Sequence, residues 1–215
     1  MTVRVMICDD HLIVRQGIRQ VLNDAGDIDV IGEAATGPDV LQSLRALHTL
    51  GTLPDVVLLD IALPQRDGLD VLRMLGTEFP KLPVLMLSTY PERQYAVRCL
   101  KLGAAGYLNK SADAEIMIEA IRKTARRQLF VTPSVAELLA SAIGSGADAA
   151  PLSARLSHRE YQVFRHLASG QSVGEIATLL HLSPNTISTY RSRILEKAGV
   201  RNDVELALYA ARNEL

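Results

Sequence analysis

Pro54-Asp-Val-Val-Leu-Leu-Asp-Ile-Ala-Leu-Pro-Gln-Arg-Asp-Gly68 is the stretch that decides the fold. Val56 to Leu59 is a short, continuous apolar run of the kind that suits a strand buried on both faces. The run stops on a carboxylate, Asp60, and the turn formers Pro64 and Asp67-Gly68 follow at once. An acid at the carboxyl end of a central parallel strand stands where open α/β sheets place their ligand chemistry.

Upstream, Val3 to Cys8 has the pattern of a strand and ends on the pair Asp9-Asp10. His11 to Asn23 carries apolar residues at Leu12, Ile13, Ile18, Val21 and Leu22, a helical spacing. Asp29 to Glu33 predicts a second strand and Pro38 to His48 a second helix. Downstream, a helix over Leu69 to Phe79 precedes a strand over Pro83 to Leu87, which runs into Ser88. A helix over Glu92 to Leu102, a short strand over Ala105 to Leu108 ending at Asn109-Lys110, and a helix over Asp113 to Arg127 complete the series. Five strands alternating with five helices indicate a doubly wound parallel sheet with right-handed crossovers. The flavodoxin-like order 2-1-3-4-5 is the usual solution at this size. It makes strands one and three neighbours, so Asp9, Asp10 and Asp60 converge on one crevice, with Ser88 and Lys110 at its side.

Residues 126–152 predict a linker, partly helical over Val135 to Ile143 and ending in the breaker-rich Gly144-Ser-Gly-Ala-Asp-Ala-Ala-Pro151. From 153 to 215 the pattern is helical throughout, with marked helix starts. Ser157-His-Arg-Glu160 and Ser172-Val-Gly-Glu175 fit the capping box. Ser183-Pro184 sets a cap before a first-turn proline, and Asn202-Asp-Val-Glu205 offers a fourth start. The segments Ser172–His181 and Pro184–Ala198, joined by a tight turn, give a helix-turn-helix outline. On the later helix Ile187, Ile194, Leu195 and Ala198 form a core stripe, flanked by Tyr190. Asn185, Ser188, Thr189 and Ser192 face away from it, short polar side chains that suit base edges in a major groove. Arg191 and Arg193 flank them as candidate phosphate contacts, with Lys197 near the helix end.

The bulk numbers exclude little but agree. The 215 residues suffice for two modest domains, and 48% hydrophobic with 22% charged residues is an ordinary globular composition. Net charge is −1; from Pro151 onward eight Lys and Arg face six Asp and Glu, a balance of +2. Two cysteines far apart, Cys8 and Cys99, are expected to be buried thiols of a reducing compartment. The N-terminus runs directly into a strand pattern with no export segment, and no apolar run approaches the roughly 18 residues of a membrane span. A cytoplasmic location and no membrane partner are expected.

Three carboxylates at two strand ends make a hard-oxygen site suited to Mg²⁺. One acid can then act as a nucleophile toward phosphorus, with an ammonium and a hydroxyl stabilising the charge that develops. Each piece has a plainer reading. An Asp-Asp pair after a strand is more often a helix cap, a lone Ser or Lys at a strand end is usually solvated surface, and Asp60 alone also fits a turn residue. The joint placement, each group at the carboxyl end of its own strand, favours a site.

Asp9-Asp10, Asp60, Pro64, Asp67-Gly68, Ser88 and Gly106-Tyr-Leu-Asn-Lys110 occur in the order and spacing of the receiver domain of two-component response regulators, which residues 1–125 resemble. The resemblance implies that Asp60 is the phosphoacceptor. It implies Mg²⁺ held by Asp9, Asp10, Asp60 and the backbone carbonyl of Ala62, and phosphoryl contacts from Ser88 and Lys110. Tyr107 matches the aromatic whose rotamer accompanies switching, and the Lys110–Ser111 peptide matches a bond often cis in the family. Leu156-Ser-His-Arg-Glu160, Ala168-Ser-Gly170, Glu175-Ile-Ala177, Leu182-Ser183, Thr186-Ile187 and Lys197-Ala-Gly-Val200 are similar to the LuxR-type DNA-binding domain. The whole chain thus resembles a response regulator of the NarL/FixJ type, with a recognition helix nearest the subgroup of BvgA and RcsB. That implies a transcription regulator switched by a sensor histidine kinase and dimerising on promoter DNA. Two competing functions are an Asp-nucleophile phosphatase, which commonly wants a second acid where Ala62 stands, and a phosphorylation-independent DNA binder.

Overall fold

A computed structural model describes residues 2–144, 152–180 and 182–212. The chain divides into two compact units, one ending at Gly144 and one covering the remainder.

The first unit is built on five strands: β1 (Val3–Cys8), β2 (Ile28–Ala34), β3 (Val56–Asp60), β4 (Val84–Ser88) and β5 (Gly106–Asn109). They pair in parallel in the order β2-β1-β3-β4-β5. All five residues of β3 and of β4 are buried, as the unbroken apolar runs predict for central strands covered on both faces. Connecting the strands are α1 (Leu12–Asp24), α2 (Gly37–Thr49), α3 (Gly68–Glu78) and α4 (Glu92–Lys101), with α5 (Ala114–Ala125) after β5. Ile18 and Leu22 of α1 and Met117, Ala120 and Ile121 of α5 pack on Val5, Ile7, Leu58, Leu85 and Leu87. Alternate strand residues point the other way, the side on which α2, α3 and α4 bury Leu44, Leu72 and Ala96. Cys8 and Cys99 are buried free thiols, and burial pushes Cys99 up to about 12.

Helix α6 (Pro133–Gly144), which the sequence placed in a linker, belongs to the first unit and packs on α4. Its lead-in, Phe130, is buried and bridges Gly106, its N–H donating to the Ala105 carbonyl at 2.8 Å. Val135 is buried, and Glu92 at the start of α4 accepts hydrogen bonds from the Thr132 and Ser134 hydroxyls. This docking is what moves the boundary. The breaker-rich segment 145–151 lies outside the described residues.

The second unit contains α7 (Leu152–Arg155), α8 (His158–Ala168), α9 (Val173–Leu179), α10 (Pro184–Ala198) and α11 (Asp203–Arg212). The one-turn α7 precedes the four expected helices. Both capping boxes are formed, at Ser157 with Glu160 and at Ser172 with Glu175. Ser183 caps α10, whose last turn closes on Gly199 at φ 69°, a left-handed position open to glycine without strain. The Asn202 side chain accepts from the Glu205 N–H at 2.9 Å, capping α11. The core is Leu156, Tyr161, Phe164, Ile176, Ile187, Ile194 and Leu206.

Candidate functional site

Parallel pairing brings Cys8 level with Leu59, so Asp9, just past β1, and Asp60, the last residue of β3, emerge side by side. Both carboxylates are buried; Asp10 and His11 are exposed beside them. Ligand atoms of Asp9, Asp10, His11 and Asp60 all lie within 4.8 Å of one another. Lys110 reaches in from the end of β5, its Nζ 2.5 Å from Asp9 Oδ2 and 2.8 Å from Asp60 Oδ2. Its side chain is only 10% exposed. These are ion pairs by distance, yet neither oxygen accepts a well-directed hydrogen bond.

One ammonium therefore stands among three carboxylates, two of them out of water. Burial raises the pKa of Asp60 above the ordinary aspartate value, and the Asp9 charge adds to it; Lys110 and the Ala62 N–H oppose the rise without cancelling it. Burial pulls Lys110 downward, but the Asp60 and Asp9 carboxylates outweigh it and hold the ammonium above its ordinary value. Buried acceptor oxygens in excess of nearby protons are what a hard divalent cation satisfies, so the residues fit Mg²⁺. Asp9 Oδ1 also accepts the His11 N–H at 2.9 Å, a turn ahead of α1 and not a cap on it, since His11 is itself the N-cap residue and no side-chain cap bond forms there.

The loop from Asp60 to Gly68 is fitted closely under the site. Asp67 caps α3 by accepting the Leu69 N–H, and Gly68 N–H donates to the Ile61 carbonyl. A Cβ at Gly68 would lie 2.0 Å from the Asp60 carbonyl oxygen, so the glycine is required by close approach. Ser88, at the end of β4, is buried, and its Oγ accepts the Tyr90 N–H at 3.1 Å. Tyr107 is turned inward and buried; its hydroxyl donates to the Tyr90 carbonyl at 2.8 Å. Asn109, to which the sequence assigned no role, donates to the same carbonyl at 3.1 Å. The loop after β4 is thus tied at once to Ser88 and to β5. Every peptide bond among the described residues is trans. The cis Lys110–Ser111 bond implied by resemblance is therefore absent; Ser111 N–H and Oγ both donate to Asn109 Oδ1 in the turn that forms instead.

In the second unit Asn185, Ser188, Thr189, Ser192 and Arg193 are exposed on α10, opposite the buried Ile187 and Ile194. Leu195, Ala198 and Tyr190 are half-buried flanks of that stripe. The other two candidate cations are engaged within the unit. Arg191 Nε donates to both Asp203 oxygens, at 2.8 and 3.0 Å, and Lys197 Nζ meets Glu160 Oε2 at 2.6 Å. Glu160 is buried and also closes the α8 capping box; these partners outweigh its burial and hold its carboxyl below the ordinary range.

Fold and site define the class: an α/β domain with an acidic crevice at the carboxyl ends of its strands, followed by a helical domain of helix-turn-helix outline. Residues 5–122 match the response regulator receiver domain, and residues 154–210 match the bacterial regulatory proteins of the luxR family. The response regulator GacA of Pseudomonas aeruginosa is 37% identical over 212 residues, covering 98% of this chain and 96% of its own. The response regulator UvrY of Escherichia coli K12 is 35% identical over 214 residues, covering 99% and 95%. RcsB from Salmonella enterica serovar Typhimurium, solved bound to promoter rprA with the phosphomimetic BeF3-, is 29% identical with a TM-score of 0.63, covering 98% of this chain and 99% of that one. The chain belongs to the NarL/FixJ-type response regulators, DNA-binding regulators of transcription in which a receiver domain precedes a LuxR-type domain.

Proposed function

We propose that Asp60 is the phosphoacceptor of this regulator and that its cognate donor is a sensor histidine kinase. The observation that carries the reading is the convergence of Asp9, Asp10, Asp60 and Lys110 at three strand ends, with more buried carboxylate than nearby cation. An Asp60 oxygen attacks phosphorus and the donor's P–N bond breaks, leaving an acyl phosphate on Asp60. Asp9, Asp10, Asp60 and the Ala62 carbonyl would hold Mg²⁺, which supplies charge neutralisation at the phosphoryl oxygens. Lys110, already poised between two carboxylates, pairs with the new phosphoryl group, and Ser88 Oγ hydrogen-bonds to it.

In that second contact Ser88 donates its O–H while its oxygen accepts the Tyr90 N–H, so turning the hydroxyl toward the phosphoryl group draws on the loop after β4. The loop after β4, the Tyr107 hydroxyl bound to it and the start of α4 then shift together, a two-state change biased by local contacts. The output is α10 on double-stranded promoter DNA. Asn185, Ser188, Thr189 and Ser192 meet base edges, and Arg193 meets phosphate. Arg191 and Lys197 take part only if they leave Asp203 and Glu160. Dimerisation on phosphorylation or on DNA, and a cytoplasmic location, complete the reading; no described helix is long and apolar enough to cross a membrane.

The test is selection of DNA from a random pool with and without acetyl phosphate and Mg²⁺, for wild type and Asp60→Ala. A paired half-site that strengthens only in phosphorylated wild type is the expected outcome. Equal enrichment in every sample would remove the Asp60 switch, and no enrichment would remove the DNA assignment.

A further inference from the structure

The polar groups of Asp9 are assigned with one unexpected partner. Its N–H donates to the Ala34 carbonyl at 3.1 Å, and Oδ1 accepts the His11 N–H. Its Oδ2 faces Lys110. Its backbone carbonyl accepts a hydrogen bond of 2.6 Å from Arg15 Nη1. Arg15 sits one turn into α1, with its side chain only 13% exposed, and is itself held: Nε meets Glu33 Oε2 at 3.2 Å. Glu33, on β2 level with Ile7 of β1, also takes Arg19 Nε at 2.6 Å. An edge strand and a helix thus converge on one peptide group.

That peptide joins Asp9 to Asp10. Fixing its carbonyl fixes the plane from which the Asp10 side chain departs, while the preceding peptide is held through the Asp9 N–H on the Ala34 carbonyl. We propose that Arg15 is a positioning residue for the divalent-cation site: its guanidinium, braced by Glu33, holds the Asp9–Asp10 peptide in the orientation that presents both carboxylates. The inference rests on the metal-dependent reading of the site proposed above. Arg15 has two effects of opposite sign. As a cation near an acidic cluster it opposes a second cation by Coulomb's law. As the donor to the Asp9 carbonyl it preorganises the ligands, and removal of such outer-shell partners typically weakens metal binding about 10- to 100-fold. Positioning wins, because the Arg15 charge already faces the Glu33 carboxylate while its hydrogen bond to Asp9 has no substitute among the described residues.

The experiment is an electron paramagnetic resonance titration of the full chain with Mn²⁺ as probe, together with the Mg²⁺ dependence of acetyl phosphate labelling. Arg15→Gln is too short to reach the Asp9 carbonyl and is expected to weaken Mn²⁺ binding by about tenfold. Its labelling rate at saturating Mg²⁺ stays near wild type, since the defect is in cation affinity. Arg15→Lys, which keeps a donor on a long stem, restores most of the affinity. Arg19→Gln, which touches Glu33 but not Asp9, leaves it unchanged. Unchanged or tighter binding in Arg15→Gln, or an equal loss in Arg19→Gln, would overturn the proposal. If Arg15→Gln does not fold, Glu33→Gln carries the test, with an intermediate loss expected and no loss overturning it. Absence of Mn²⁺ binding in wild type would instead remove the metal-dependent reading, and this inference with it.

Discussion

Asp60 is an acid held where the protein disfavours its charge. Burial and the Asp9 carboxylate raise its pKa despite Lys110. A raised carboxylate pKa means that the folded chain binds the proton more tightly than the unfolded chain, so stability falls as pH rises from the ordinary value of 3.8 through the folded value. In metal-free buffer at pH 7, Asp60→Asn is therefore expected to stabilise the first unit by about 1 kcal/mol, since relieving an under-compensated buried charge is worth that much or more. Thermal melts should show the gain shrinking toward pH 4 and on adding Mg²⁺; a lower melting temperature at pH 7 would refute it. Gly68→Ala acts in the opposite direction. Its Cβ would strike the Asp60 carbonyl oxygen, so the loop must move, at about 1–3 kcal/mol. Slower acetyl phosphate labelling should accompany the lower denaturant midpoint.

Among the elements, α8 and α10 are joined by Glu160, which caps one helix and pairs with Lys197 of the other. Its depressed pKa makes its contribution complete above the ordinary glutamate value of 4.5, and the contribution is lost as pH falls through the lower folded value. Glu160→Gln is expected to destabilise the second unit by about 2 kcal/mol at pH 7. The gap to wild type should narrow as pH falls below 4.5 and close once Glu160 is protonated in the folded chain, as followed by circular dichroism; a gap that stays constant down to acid unfolding would count against the ion pair. At the end of α5, Arg127 N–H donates to the Thr124 carbonyl and Gln128 N–H to that of Lys123, the closure that usually places glycine in the left-handed position. Here Arg127 occupies it at φ 61°. Arg127→Gly is expected to raise stability by up to about 1 kcal/mol, the strain relieved exceeding the added chain entropy. A loss of several degrees in melting temperature would show that the arginine side chain stabilises more than its backbone costs.

For the whole molecule, the two units have separate cores, and the candidate chemistry of each is legible within it: phosphoryl acceptance in the first, DNA contact in the second. The second unit carries a charge balance of only +2 from Pro151 onward, and Arg191 and Lys197 are engaged internally, so Arg193 is the exposed cation of α10. Arg193→Ala should lower the slope of log affinity against log salt by about 0.9 per protomer while leaving sequence preference intact. Fluorescence anisotropy on a selected site at several salt concentrations measures both. An unchanged slope would move the phosphate contact elsewhere.

By itself the sequence determined the strands, most helices and the residues at the strand ends. Periodicity, capping and turn chemistry act over a few residues, as at Val56–Asp60 and Ser157–Glu160. The resemblance added the roles proposed for Asp60, Ser88 and Lys110, which spacing alone left open. Only the tertiary structure decided that α6 docks on α4, that Arg15 grips the Asp9 carbonyl, and that Lys197, which periodicity left available for phosphate, pairs with Glu160 37 residues away. Local patterns say which face of an element is polar. Which polar group that face meets depends on how the elements pack, and contacts across that packing leave no spacing signature in the chain.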